Sequence, residues 1–223
     1  MVLNKHINLI NREHRLSGPI FDGYKDGGRS TRFDRQGRAI NPSREIIVVD
    51  RKRDIRLQRM IAQARKIQAE FGSGLRTVFE LSKLVYERMY DPEAVNIVQK
   101  QLELKPGREV LLGDITVENG LAGVCRHRSL LFQVLAAEVG VSASLVRGNV
   151  VFGNYDVSGG HAWNEIELNA RRYLVDLMNP PGDCSFEDLD YASFVRQGGF
   201  PEIGVNRFNY RYMDVNGVEL YRI

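Results

Sequence analysis

The spacing of apolar residues changes at Gly140, and this change constrains the fold of the 223-residue chain more than any other feature. From Val124 to Val139 apolar residues recur at intervals of three and four, as on one face of a helix. After Gly140, β-branched and alternating residues form three runs, over residues 143–152, 161–168 and 172–178. Such runs, separated by turn residues, are typical of antiparallel strands. Helices therefore precede strands, which predicts an α+β fold rather than a repeating β-α-β order.

Two further helices are predicted upstream from the same periodicity. The first runs from Asp54, its expected N-cap, to Phe71. The second runs from Leu75 to Asp91-Pro92, where the proline can begin a short third helix that ends at Val98. Residues 110–112 are compatible with a short strand or a turn.

Residues 1–54 differ in composition from the rest of the chain. They hold twelve Lys or Arg and seven Asp or Glu, whereas residues 55–223 hold slightly more acidic than basic side chains. They are rich in turn formers and lack a sustained apolar period, which predicts a basic, loosely structured N-terminal extension followed by one domain over residues 55–223. Such an arm could bind a protein partner. We expect no nucleic-acid partner, because no aromatic and basic recognition module accompanies the charge.

The sequence also argues against several classes of protein. No stretch approaches the roughly 18 apolar residues of a membrane span, and the first residues lack the apolar segment of a secretory signal. Two cysteines do not make a disulfide framework. We therefore expect a protein of a reducing compartment, either cytoplasmic or delivered by a specialised secretion system without a cleavable signal peptide.

Cys125 follows a loop of small residues and stands at the start of the predicted helix that ends before Gly140. A thiol on the first turn of a helix faces unpaired backbone N–H groups and the positive end of the helix dipole, which favour the thiolate. Arg126 and Arg128 add positive potential. A small apolar residue at a packed helix end would occupy the same position, so a base is needed to decide between the two interpretations.

His161 and Asp176 are the candidate partners of this thiol. His161 follows two glycines at the start of a predicted strand, and Asp176 is an acidic residue inside an otherwise apolar one. If Asn169-Ala170 is a two-residue hairpin loop, Asp176 is the same-face diagonal neighbour of His161, within reach of a side-chain hydrogen bond. A shift of one residue in register would place them on opposite faces.

Together, these residues supply a nucleophile, a general base and an orienting carboxylate in the chain order Cys, His, Asp. The sequence thus predicts attack of the Cys125 thiolate on an amide carbonyl, a thioester intermediate and protonation of the leaving amine by His161. The Cys125 backbone N–H and the side chain of Asn119 are candidate donors to the oxyanion, although an amide at position 119 could equally form a turn.

A metal site is the alternative use of the same residue types. Cys125, His127, His161 and Cys184 could supply ligands, but Cys-x-His lacks the paired spacing of zinc sites, and we expect neither metal nor cofactor. His127 is expected to be structural or to face a substrate, because it points to another side of the helix than Cys125. His6 and His14 lie in the N-terminal extension and suggest no role.

Four segments resemble a known family: residues 123–132, 145–148, 161–165 and 173–182. They are similar to the transglutaminase-like, papain-related superfamily, and more narrowly to the peptidase-like domain that precedes the kinase domain in plant ethylene-response Raf-like kinases. The resemblance covers roughly residues 55–200. It implies an α+β fold in which a helix bearing the cysteine packs on an antiparallel sheet bearing the histidine and the aspartate. These roles correspond to Cys125, His161 and Asp176.

The resemblance leaves the reaction open. Members of the superfamily include proteases, amide-crosslinking enzymes, glutamine deamidases among bacterial effectors, and inactive relatives. We therefore expect a cysteine-dependent amide hydrolase or acyltransferase acting on protein or peptide. The alternative is a catalytically inactive interaction module on the same scaffold, which would use the basic arm and the aromatic C-terminal segment to bind a partner.

Overall fold

A computed structural model describes residues 15–29, 31–90, 105–152, 159–179, 186, 189–205 and 209–223. In this part of the chain four α-helices are present: α1 (Ile55–Phe71), α2 (Leu75–Met89), α3 (Cys125–Glu138) and α4 (Tyr191–Arg196). Some positions discussed above lie outside the described residues. They are the helix predicted over residues 92–98 and the side chains of His6, His14 and Cys184. No helix among these residues combines the length and the apolar character needed to cross a lipid bilayer.

The helix boundaries follow local chemistry. Asp54 Oδ1 accepts the Leu57 N–H at 2.8 Å, as expected of an N-cap side chain. After α3 the chain leaves the helix at Gly140, which has a φ of 73°. Glycine adopts this left-handed conformation without steric penalty, so the helix ends where the apolar period changes.

The eleven strands among the described residues are short at the N-terminus and longer in the middle of the chain. Their bounds are β1 (Arg15–Ser17), β2 (Tyr24–Asp26), β3 (Arg32–Phe33), β4 (Ala39–Ile40), β5 (Ile46–Val49), β6 (Glu109–Leu111), β7 (Ser142–Phe152), β8 (Gly159–Leu168), β9 (Arg171–Val175), β10 (Tyr210–Met213) and β11 (Glu219–Arg222). The main sheet has the order β11-β10-β7-β8-β9, and β1 also pairs with β7. All of its pairings are antiparallel.

The hairpin between β8 and β9 has the predicted register. Leu168 pairs with Arg171 and Asn164 with Val175, while Asn169 and Ala170 have φ angles of 52° and 61°. Positive φ at both loop residues is typical of a type I′ turn, whose twist matches that of the strands. This turn fixes which side chains of β9 share a face with those of β8.

The described residues form two compact units. One comprises His14–Pro19, Ile61–Glu87 and Val124–Ile223 and contains the main sheet. Within it α3 packs against β7 and β8, where Asn164 Nδ2 donates to the Ser129 carbonyl at 3.1 Å. Apolar side chains of the same unit form a buried cluster of Val146, Val150, Trp163, Leu174, Tyr212 and Ile223. Arg15 and Glu165 form a bidentate ion pair at 2.7 Å, which attaches β1 to β8.

The other unit comprises Ile20–Met60 and Arg88–Gly123 together with Met1–Glu13, the last of which lies outside the described residues. It contains the sheet of order β2-β5-β6 and the pair β3-β4, and all four residues of β5 are buried. The structure thus has short paired strands over residues 24–49, where the turn-rich sequence predicts a loose extension. Strands of two to four residues are too short to show a sustained apolar period, and the turn formers lie between them.

The predicted α+β class is confirmed. Helices α1 to α3 precede β7, β8 and β9 of the antiparallel main sheet, as the change of period indicates, whereas β1 to β5 lie before the helices. The strand suggested at residues 110–112 corresponds to β6, which pairs in parallel with β5.

Gly148 allows a close approach inside the main sheet. It pairs with His161 across β7 and β8, and an added Cβ would lie 1.9 Å from the Met213 carbonyl oxygen and 2.6 Å from the Trp163 ring. Backbone atoms cannot give way at such a distance without moving β10.

We expect Gly148→Ala to lower the free energy of unfolding by about 2–3 kcal/mol, because the added methyl group would displace the Met213 backbone. Urea denaturation measures this change. Gly74→Ala is the matched control, since an added Cβ meets nothing within 4 Å there. Because Gly74 directly precedes α2 and alanine is a poorer N-cap than glycine, this variant should lose at most about 1 kcal/mol. Equal stability of the two variants would contradict the prediction.

Candidate active site

Cys125 is the first residue of α3, as predicted. Its N-cap, Val124, has extended backbone angles, and the Val124 N–H donates to His127 Nδ1 at 3.1 Å. The buried His127 ring therefore caps the helix, which agrees with the structural role expected for it. Cys125 itself is half-buried, and its thiol is free of a disulfide.

The His161 ring lies between the thiol and a carboxylate. His161 Nε2 is 2.7 Å from Asp176 Oδ2. The Cys125 side chain is hydrogen-bonded to the His161 ring and also to the backbone N–H of Ala162, the next residue of β8. The structure therefore brings together the three side chains that the sequence singles out from positions 125, 161 and 176.

Asp176 is a buried carboxylate with four donors. Oδ1 accepts the backbone N–H groups of Met178 and Asn179, at 3.0 and 3.1 Å. Oδ2 is shared by His161 Nε2 and by the Tyr212 hydroxyl, which donates at 3.0 Å. A buried carboxylate requires compensation of this kind, because it has lost its hydration.

The ionisation of the three groups is coupled. Burial raises the pKa of the Cys125 thiol, but the hydrogen bond and charge of His161, with the Ala162 N–H, outweigh burial and leave this pKa below its ordinary value. Burial lowers the pKa of His161, but Asp176 and Cys125 raise it to about 10. Burial likewise opposes ionisation of Asp176, yet His161 and the two backbone donors keep its pKa below the ordinary value. The arrangement favours a thiolate, an imidazolium and a carboxylate in a row.

Two further contacts hold this row in place. Arg128, on the first turn of α3, donates from Nη1 to the Leu177 carbonyl at 2.8 Å, which ties the residue after Asp176 to the helix that bears Cys125. The Trp163 ring stacks on the His161 ring, with centroids 6.0 Å apart and an angle of 24° between the planes. The stacked indole shields one side of the imidazole from water.

Asn119 belongs to the other compact unit, the one containing Ile20–Met60 and Arg88–Gly123. Its side-chain amide donates to the Asp114 carbonyl at 2.8 Å and stabilises the short 3-10 turn Val117–Asn119. This is the turn-forming use that the sequence left open, and the oxyanion role of Asn119 stays a prediction. Among the described residues, no group of three or more His, Cys, Asp or Glu side chains is arranged to hold a metal ion.

Sequence reasoning missed Tyr212 and the contact made by Arg128. Tyr212 lies 36 residues after Asp176 and reaches it through the pairing of β10 with β7. No local spacing encodes such a contact, because it depends on the register of strands that are distant in the chain. The Arg128 contact has a weak sequence signal, since an arginine three residues after Cys125 continues the buried face of the helix.

Known proteins resemble parts of this chain. The protein named "Probable serine/threonine-protein kinase SIS8" of Arabidopsis thaliana is 32% identical over 169 residues, which are 66% of this chain and 16% of the relative. Serine/threonine-protein kinase CTR1 of the same plant is 26% identical over 151 residues, 64% of this chain and 18% of the kinase. Human Armadillo repeat-containing protein 3 is 37% identical over 73 residues, 27% of this chain and 7% of that protein. The chain thus spans less than a fifth of the length of each.

A solved structure of a candidate cysteine protease from Cytophaga hutchinsonii is also similar. It is 13% identical, with a TM-score of 0.38, over 77% of this chain and 56% of the other. The model of the peptidase-like family named for EDR1, CTR1 and ARMC3 matches residues 32–185, a segment that contains Cys125, His161 and Asp176. The resemblance to the peptidase-like domain of the plant kinases is therefore confirmed, and the chain belongs to the EDR1/CTR1/ARMC3 peptidase-like family.

Proposed function

We propose that the chain is a cysteine-dependent amide hydrolase or acyltransferase that acts on protein or peptide. Cys125 is the nucleophile, His161 the general base and Asp176 the orienting carboxylate. One observation carries the proposal: the Cys125 thiol is hydrogen-bonded to a His161 ring whose Nε2 lies 2.7 Å from the buried Asp176 carboxylate. A nucleophile, its base and a third group that orients the base are the arrangement that activates a thiol.

In the proposed reaction the Cys125 Sγ anion attacks the carbonyl carbon of an amide and forms a C–S bond. The carbonyl oxygen takes the negative charge. As the tetrahedral intermediate collapses, the C–N bond breaks, His161 gives its proton to the departing nitrogen, and a thioester remains on Cys125. Asp176 accepts from His161 Nε2 throughout and fixes the tautomer that the proton transfer requires.

The negative oxygen requires hydrogen-bond donors. The Cys125 N–H lies in the first turn of α3, where backbone N–H groups have no acceptor within the helix, so it is the first candidate.

The acceptor that releases the thioester decides the subclass of reaction. Water would give proteolysis, or deamidation when the amide is a glutamine side chain, and a lysine amine would give an isopeptide crosslink. We favour hydrolysis, in line with the peptidase-like family. Incubation with candidate proteins, read as ammonia release, mass change and new chain termini, separates the three outcomes.

A non-catalytic interaction module is the second candidate function. It is favoured by the names of the relatives, which describe two serine/threonine-protein kinases and an armadillo repeat-containing protein rather than peptidases. In that case Cys125 and His161 would persist as a buried polar pair that stabilises the scaffold.

We expect Cys125→Ala to abolish amide cleavage or transfer, with a loss of at least about 1,000-fold, because the variant lacks the thiol that forms the proposed thioester. The same three readouts measure the loss. Cys184→Ser is the matched control, since it removes the other cysteine and should retain activity. Substrate conversion by Cys125→Ala at the unsubstituted rate would contradict the assignment of the nucleophile.

We expect the Cys125 thiolate to persist below the pH at which an ordinary thiol ionises. The pKa of Cys125 is lowered and that of His161 is raised to about 10. The ion pair is therefore present from the lowered pKa of Cys125 upward, and is lost only as the pH rises through about 10. The rate of alkylation by iodoacetamide, measured against pH in the Cys184→Ser background, should reach half its plateau below the ordinary thiol midpoint of about 8.5.

His161→Gln tests the cause of this shift. The substitution removes the hydrogen bond and charge that lower the pKa of Cys125 and leaves burial, which raises it. The alkylation midpoint should therefore move upward by more than about one pH unit. An unsubstituted protein that alkylates like a free thiol, and is silent in all three activity readouts, would favour the interaction module.

A further inference from the structure

We propose that Tyr212 is a positioning residue of the site, whose hydroxyl holds the Asp176 carboxylate in the orientation that His161 requires. The inference rests on the proposed function, since it concerns how the Cys125–His161 pair is kept reactive. Tyr212 lies on β10, beyond the residues 32–185 that match the family model.

The geometry defines what the hydroxyl does. Tyr212 donates to Asp176 Oδ2 at 3.0 Å, and His161 Nε2 lies 2.7 Å from the same oxygen. The two backbone donors act on Oδ1 alone. Tyr212 is thus the side-chain donor that shares Oδ2 with His161. Together with the two backbone donors on Oδ1, it fixes the rotation of the carboxylate about its last side-chain bond, and this rotation points Oδ2 at the imidazole.

Tyr212 itself is firmly held. The side chain is fully buried, its ring lies edge-on against Trp163 with centroids 4.9 Å apart, and it stacks on Tyr221 at 5.5 Å. Trp163 in turn stacks on His161. The hydroxyl therefore has little freedom to leave Asp176, and one packed aromatic group supports both the base and its carboxylate.

The proton of Tyr212 stays on the phenol at neutral pH. Burial raises the pKa of Tyr212 well above its ordinary value, and the nearby charge of Asp176 raises it further. Since an ionised carboxylate can only accept, the direction of the hydrogen bond is fixed from the phenol to Asp176.

The alternative is that Tyr212 serves only as apolar core, and Tyr221 provides the control that separates the two roles. Tyr221 pairs with Tyr212 across β10 and β11, and its hydroxyl is also engaged, donating to Glu165 at 3.0 Å. Tyr221→Phe removes a phenol oxygen next to the same cluster without removing a donor from Asp176. A purely structural effect of losing a buried hydroxyl should appear in both variants.

The experiment compares the full chain with Tyr212→Phe and Tyr221→Phe, each in the Cys184→Ser background. The titration of the His161 ring is followed by nitrogen NMR with labelled histidine, assigned by the signal that disappears in His161→Gln. The alkylation rate of Cys125 by iodoacetamide is measured at pH 7. Both readouts are independent of any substrate.

In Tyr212→Phe we expect the His161 midpoint to fall by about one pH unit and alkylation to slow roughly tenfold, because a carboxylate that can turn away from the imidazole stabilises the imidazolium less. Tyr221→Phe should keep the midpoint within about 0.3 units and the rate within about twofold. A His161 midpoint in Tyr212→Phe that equals that of Tyr221→Phe, or that rises, would overturn the positioning role.

Two further measurements keep the test decisive. If Tyr212→Phe does not fold, the unsubstituted protein should show a proton NMR cross-peak between the Tyr212 hydroxyl and the His161 Nε2 proton, and its absence would overturn the inference. If Cys125 of the unsubstituted protein is unreactive at neutral pH, the proposed function fails, while the His161 titration still decides whether Tyr212 controls the carboxylate.

Discussion

A carboxylate buried in the protein interior is the constraint on which the site depends. Asp176 is 3% exposed. An isolated charge at such a position would lose its hydration without gaining hydrogen bonds or an opposite charge in exchange. The protein compensates with two backbone donors on one oxygen and with His161 and Tyr212 on the other. Removing one partner of a buried charged pair typically costs about 3–5 kcal/mol, so stability and the arrangement of the site are linked.

The carboxylate and its two side-chain partners come from three different strands of the main sheet. His161 stands at the start of β8, Asp176 follows β9 directly, and Tyr212 lies on β10. Gly148, on the strand between β8 and β10, has no side chain and so lets the Met213 backbone lie close to the sheet. The helix α3 then brings the Cys125 thiol to the same imidazole. Antiparallel pairing therefore gathers groups that are far apart in the sequence.

Much of this arrangement is encoded locally and could be predicted. The helix that begins at Cys125 and ends before Gly140 follows from apolar periodicity, and the β8–β9 register follows from a two-residue turn whose residues both have positive φ. The register predicts that His161 and Asp176 lie on the same face as diagonal neighbours, and the helix predicts that Cys125 lies on its first turn. Tyr212 could not be predicted in this way, because its position depends on the pairing of β10 with β7, whose nearest partners, Tyr210 and Phe152, are 58 positions apart in the sequence. The short strands at the N-terminus escaped prediction since two to four residues are too few to reveal a period.

The edge strands of the main sheet have a practical consequence for the expression of shortened fragments of this chain. The family match begins at residue 32 and ends at residue 185, so it omits β1, β2, β10 and β11. These include both strands that pair with β7 on the side away from β8. A fragment cut to the matched segment would leave the N–H and C=O groups of an eleven-residue strand open along that side. Such an edge is a template for intermolecular pairing, so the fragment would tend to precipitate for reasons unrelated to its chemistry.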